Sequence, residues 1–409
     1  MTRQLFRRIP ALASRLLLTT ACVALATAAH AASYSVISEK TSKISVLIGD
    51  LTLTDTVVQE GPHAINRFTM HRLRRAFGPR KGTLVLLPPL GNSFRGYLTS
   101  EDGDPGKSFA AFFARLGYDV YGYSPRETGI APGQCGGALD CSQALKWSVQ
   151  TVVDDVTYIR SQIRTSKKPV IGGLSLGAAT SIAVVNAHPN DYSGLLAWDG
   201  SVFTANPLFQ AHNQPSCTQY TGLVDAGVAV DDQSTPFVKL VAQLAQAAPN
   251  AAFAIPVPGF PPGLTNLQAF ILILSTPNPA APSPRPGFIS AAGDFPSSQL
   301  FFSETARLTS NIAAFNDVTA NRTSRDLYCS LAGVETAYTN NLAAFRKPVM
   351  IIKAGQGFGP IMDELPAKLV GSPITLWQMN NFGHVDHFGS PNHLALLELP
   401  ISVWLSGVL

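Results

Sequence analysis

The run from Lys168 to Ala179 constrains this chain more than any other stretch. A short apolar segment, Pro169-Val-Ile171, breaks into Gly172-Gly-Leu-Ser-Leu-Gly177 and resumes with small residues. That order reads as a strand, a sharp turn and a helix. Gly173, Ser175 and Gly177 form a G-x-S-x-G pattern, in which the serine sits at the tip of a strained turn and the glycines remove side chains that would collide there. Ser175 is thereby presented as a nucleophile. A serine hydroxyl needs a base to take its proton, an acid to orient that base and donors for the developing oxyanion. The rest of the chain has to supply all three.

The flanking sequence alternates strand and helix. The apolar run 82–87 stops at Pro88-Pro89, as a strand buried on both faces would. A helical pattern over 108–116 closes at Gly117, and strand 118–123, helix 143–163 and strand 195–198 follow. Alternation resumes at Lys347 with strands 348–353 and 374–379 and a final amphipathic helix over 392–405. Two β-rich runs, 43–48 and 68–73, predict an antiparallel opening pair. The expected fold class is therefore α/β: a mainly parallel sheet with helices on both faces and its site at the carboxyl ends of the strands.

Regularity fails between 201 and 346, where Ala and Pro accumulate, notably at 255–263 and 277–286, with helical patterns over 237–248 and 300–318. This is too long for a loop. It is read as a large cap inserted between the sixth and seventh strands, so that 32–200 and 347–409 form the core and 201–346 the cap.

Residues 1–31 read as a secretory signal peptide: Arg3, Arg7, Arg8 and Arg15 without an acid, an apolar run, then Ala29-His-Ala31 as a cleavage site. Its apolar run is shorter than a membrane span needs. Subtracting those four arginines from the 30 basic residues leaves 26, equal to the 26 acids. A balanced chain gives no support to a nucleic-acid partner, which would need a basic face. Export near Ala31 leaves four of the five cysteines, and an even number in an oxidising compartment predicts two disulfides. Three pairings are possible, and the favoured one joins Cys135 with Cys141, close in sequence, and Cys217 with Cys329, which would tie the two ends of the insertion together.

The order of parts resembles the α/β-hydrolase fold superfamily, over 82–200 and 347–409 but not over the insertion. The nucleophile order of that superfamily is Ser, acid, His. His384, in Gly383-His-Val-Asp386, is similar to the G-H-x-D ending of its esterases and lipases and is the expected base, with His387 in reserve. The usual position for the acid, just after strand 348–353, holds Ala354-Gly-Gln-Gly-Phe-Gly359 and no carboxylate. Some lipases place the acid one strand earlier, which makes Asp199 the first choice and Asp363 the alternative. The resemblance also implies an oxyanion hole from the backbone N–H of Leu176 and one from Leu90 or Asn92, because Pro88 and Pro89 have none.

The expected function is a secreted serine hydrolase that cleaves carboxylic esters through an acyl-enzyme, with no cofactor or metal and with a small-molecule or lipid-like ester as its partner. Oligomeric state is left open. Peptidase or acyltransferase chemistry on the same residues is the nearest alternative, and an inert binding protein on the same fold is the alternative from a different class. Asp199-Gly200 also fits a plain turn, Trp198 plain packing, and Arg126 a structural salt bridge.

Overall fold

The apolar runs around Ser175 become neighbouring strands of one sheet. A computed structural model of the chain describes residues 33–46, 49–275, 288–290, 292 and 299–409; the expected leader at 1–31 and the Pro-rich run 277–286 lie outside them. The described residues form eleven strands in chain order: β1 Tyr34–Ile44, β2 Leu51–Glu60, β3 Arg67–Arg75, β4 Gly82–Leu87, β5 Tyr118–Ser124, β6 Val170–Leu174, β7 Gly194–Trp198, β8 Val230–Asp231, β9 Thr319–Ala320, β10 Val349–Ala354 and β11 Ile374–Met379. Nine form one sheet in the order β1-β2-β3-β5-β4-β6-β7-β10-β11. From β5 through β4, β6, β7 and β10 to β11 every pairing is parallel, whereas β1, β2 and β3 form an antiparallel meander and β3 meets β5 antiparallel.

The expected opening pair is thus a trio. Of the expected run 43–48, Lys43 and Ile44 close β1, 45–46 belong to no strand, and 47–48 lie outside the described residues. Strand β2 was missed because its threonines and Asp55 dilute the apolar signal, although Leu51 and Val58 are fully buried.

Side chains alternate between the two faces of the parallel strands, as a period of two requires. Val85, Leu87, Ile171, Leu195, Ala197, Val349 and Ile351 pack with helices α2 (Val149–Gln162) and α3 (Leu176–Ala187) on one face. Leu84, Leu86, Val170, Leu196, Trp198, Met350 and Ile352 face α1 (Phe109–Arg115) and the C-terminal helix (Leu399–Val408) on the other. The helix expected over 143–163 is broken at Ser148, whose hydroxyl and Thr151 form a capping box that starts α2 afresh.

Between β7 and β10 lie helices α4 (Pro207–Asp225), α5 (Ser234–Ala247), α6 (Asn266–Leu274), α7 (Thr305–Ala313) and α8 (Asn321–Leu331) and the two-stranded pair β8–β9. This segment has an apolar cluster of its own, in which Val241, Ala245, Phe270, Leu274, Leu308 and Ile312 are buried. Both expected disulfides are present: Cys135–Cys141, and Cys217–Cys329, which staples α4 to α8 across 112 residues of sequence. Arg126 is buried in the core, where it holds the fully buried Asp155 and also pairs with Glu60. No helix among the described residues is long and apolar enough to cross a membrane.

Candidate active site

Strands β6, β7, β10 and β11 lie side by side, and the candidate residues come from the turns and loops that follow them, with His384 beyond β11. Ser175 follows β6 with φ 60° and ψ −120°. Asp199 follows β7 with φ 41°, and these are the two non-glycine residues with positive φ among those described. Such a conformation costs on the order of 1–3 kcal/mol per residue, so surrounding structure must hold both. It does so through the ladder: Ser175 N donates to Trp198 O at 2.9 Å, and Asp199 N to Ile352 O at 2.8 Å.

Absent side chains let the turns close. A Cβ on Gly173 or Gly177 would lie 2.1 or 2.0 Å from the carbonyl oxygen of Leu87, and one on Gly200 would lie 2.1 Å from that of Ser175. Any side chain at these points would push β4, the serine turn and the aspartate turn apart. The buried Tyr97 hydroxyl adds a bridge, donating to Leu87 O at 2.8 Å and accepting from Leu174 N at 2.9 Å.

His384 Nδ1 and Asp199 Oδ2 are 2.7 Å apart, with both side chains buried. The carboxylate also accepts from the backbone N–H of Ala354 at 2.8 Å and of Phe358 at 3.1 Å. These donors come from the last residue of β10 and the turn after it, the stretch 354–359 where the sequence offers no acid. Its glycines make room: a Cβ on Gly357 would stand 2.2 Å from Asp199 Oδ2 and 3.0 Å from His384 Cα. The loop that lacks a carboxylate therefore cradles one from the neighbouring strand. With Nδ1 donating to Asp199, the lone pair of His384 sits on Nε2, as a base requires. The imidazole lies between two rings, Phe288 stacked on it at 5.2 Å and Phe358 edge-on at 5.0 Å.

The alternatives fall elsewhere. Asp363 pairs with Lys353, and its side chain is 62% exposed rather than near the histidine; it is not brought to His384. The reserve histidine, His387, is fully buried against Trp198, whose indole N–H donates to its Nε2. Burial, with the nearby His384 adding to it, lowers its pKa to about 3. A neutral ring with its acceptor nitrogen occupied is no base. Trp198 is fully buried and packs on Phe109, so its place beside Asp199 reflects packing.

Asn92 must be withdrawn from the expected oxyanion donors. Its N–H closes a turn onto Pro89 O at 3.1 Å, and its side chain caps Ser93 N at 2.8 Å. Leu176 opens α3, where a first-turn N–H has no helical acceptor, and Leu90 follows the two prolines in the turn; both are partly exposed. No group of three or more His, Cys, Asp or Glu that could hold a metal occurs among the described residues. The sequence reading missed Tyr97, Gly357 and the Ala354 and Phe358 donors. The alternating Gly355, Gly357 and Gly359 were the available signal of close backbone approach.

No protein-family model matches the chain, and no curated protein sequence does. Among solved structures the chain is similar to a presumptive lipase from Sulfolobus solfataricus, with a TM-score of 0.65 and 17% identity over 91% of this chain and 99% of that one. It is also similar to a monoacylglycerol lipase from Paleococcus ferrophilus, with a TM-score of 0.47 and 16% identity over 84% and 99% of the two chains. The sheet order, the strained serine turn and the first of these likenesses define one class: the chain has the α/β-hydrolase fold.

Proposed function

We propose that this protein is an exported serine hydrolase of carboxylic esters, with Ser175 as nucleophile, His384 as general base and Asp199 as the acid that orients it. The observation that carries the reading is the 2.7 Å contact between His384 Nδ1 and Asp199. That aspartate precedes Gly200, which packs on the backbone of Ser175. Ser175 Oγ attacks the ester carbonyl while His384 Nε2 takes its proton. The N–H groups of Leu176 and Leu90 receive the oxyanion, and His384 returns the proton to the leaving alcohol. Water, deprotonated by the same nitrogen, then releases the acid. Asp199 keeps the imidazole in the required tautomer and stabilises the imidazolium that forms.

In this reading the segment 201–346 is a cap over the site, and Phe288 against His384 supports that role. The abundance of proline and alanine in the cap, and a chain whose charges balance without its leader, suit an uncharged, apolar ester. The two disulfides fit an oxidising compartment, in keeping with 1–31 as a signal peptide. The testing experiment is steady-state turnover of p-nitrophenyl esters beside aminoacyl anilides. Ester hydrolysis that disappears in Ser175→Ala is expected; amide cleavage without ester turnover would replace esterase with peptidase.

A further inference from the structure

The loop carrying His384 is held by the inserted segment as well as by the sheet. His384 N donates to Phe288 O at 2.6 Å and Val385 N to Ile289 O at 2.9 Å, so a short ladder from the insertion runs along the histidine. Two residues on, Asp386 is fully buried. One of its oxygens accepts Gly383 N at 2.6 Å, the backbone N–H just ahead of His384. The other accepts the Ser303 hydroxyl at 2.6 Å and also that of Ser290, both from the insertion. A return bond, Glu304 N to Gly389 O at 3.0 Å, closes the clasp. The approach is tight: a Cβ on Gly389 would stand 2.5 Å from Ser303 Oγ and 2.8 Å from Leu308 Cδ2.

We infer that Asp386 is a positioning residue for His384, and that through Ser290 and Ser303 it makes a seated insertion a condition for turnover. This rests on His384 being the base. A turn residue could satisfy Gly383 N with any short acceptor, but a carboxylate can take that N–H and two hydroxyls at once without presenting a donor of its own. The charge-assisted bonds fix the loop from the insertion side, while His387 against Trp198 fixes it from the sheet side. His384 sits between the two anchors, and a base displaced by about 1 Å loses on the order of 100-fold in rate.

The test uses the full chain and three changes that touch neither Ser175, His384 nor Asp199: Asp386→Ala, Ser303→Ala and Gly389→Ala. Each is assayed for p-nitrophenyl ester hydrolysis, with active sites counted by a fluorophosphonate. The expected result is a fall in kcat per active site of about 100-fold for Asp386→Ala and about 10-fold for the other two, with KM within about twofold. The Asp386→Ala/Ser303→Ala double variant should be no slower than Asp386→Ala alone, because the two groups act through one contact. The Nδ1 proton resonance of His384 should shift or broaden in Ser303→Ala. If the variants lose only melting temperature or active-site number while kcat per site stays at the wild-type value, Asp386 is structural and the inference is wrong. His384→Ala runs alongside: should it keep turnover, the base assignment fails and takes the inference with it. An inert His384→Ala beside fully active clasp variants would sink the inference alone.

Discussion

Gly357→Ala tests the site at the point where this chain departs from the arrangement its sequence resembles. The added methyl would sit 2.2 Å from Asp199 Oδ2, the oxygen that meets His384 Nδ1 at 2.7 Å. An ordinary carbon–oxygen contact is roughly 3.4 Å, so relief requires a shift of about 1 Å. The carboxylate cannot yield freely, because Ala354 N and Phe358 N also hold it and it has no exposed surface. The overpacking should cost about 1–3 kcal/mol of stability. The larger effect falls on rate: misplacing a catalytic group by about 1 Å costs on the order of 100-fold, and loss of the orienting aspartate about 10⁴-fold. A kcat between those bounds is expected, measured with p-nitrophenyl esters against titrated active sites at a temperature where the variant is folded. Gly222→Ala, on α4 with nothing within 4 Å of its would-be Cβ, is the control and should leave kcat unchanged. A Gly357→Ala enzyme within twofold of wild-type kcat would refute the cradle.

Asp199→Asn should lower kcat by about 10⁴-fold, because an amide must turn a donor toward either His384 or a backbone N–H, whereas Asp363→Asn should change it less than about threefold; the reverse ranking in ester kinetics would move the acid. His387 is held neutral, with its folded pKa lowered from 6.5 to about 3. The unfolded chain therefore binds the extra proton, and stability present above pH 6.5 is lost as pH falls toward 3, by up to about 1.4 kcal/mol per pH unit. Urea midpoints at pH 7 and pH 4 should show a smaller acid loss in His387→Gln than in the wild type. Replacing Cys217 and Cys329 by alanine should destabilise by about 2–5 kcal/mol, more than replacing Cys135 and Cys141, because the first pair closes a loop of 112 residues and the second one of 6; equal shifts in thermal melting would contradict this.

What was legible in the sequence follows from which interactions are local. The serine turn could be read because Gly173 and Gly177 record, residue by residue, where Leu87 O would collide. Asp199 could be preferred because the stretch after β10 held glycines in place of an acid. The cradle stayed hidden: it uses backbone N–H groups, which any residue but proline supplies. Asn92 failed as a donor for a similar reason, since its N–H is taken by the turn the prolines start. In the insertion, α5 was visible through its apolar period, while α4 and α8 were not. Helix α4 carries Pro215 and Gly222, and α8 buries Asn321, Thr323, Ser324, Asp326 and Ser330 beside Leu327, Cys329 and Leu331, so polar residues outnumber apolar ones on its inward face.

The central claim is that Ser175 is an activated nucleophile. Its most direct test is to treat the full chain with a fluorophosphonate and locate the adduct by peptide mass spectrometry. A single adduct on Ser175, absent from Ser175→Ala and formed far more slowly in His384→Ala, is the predicted result. No adduct on the wild type, or an adduct on another residue that persists in Ser175→Ala, would contradict the claim.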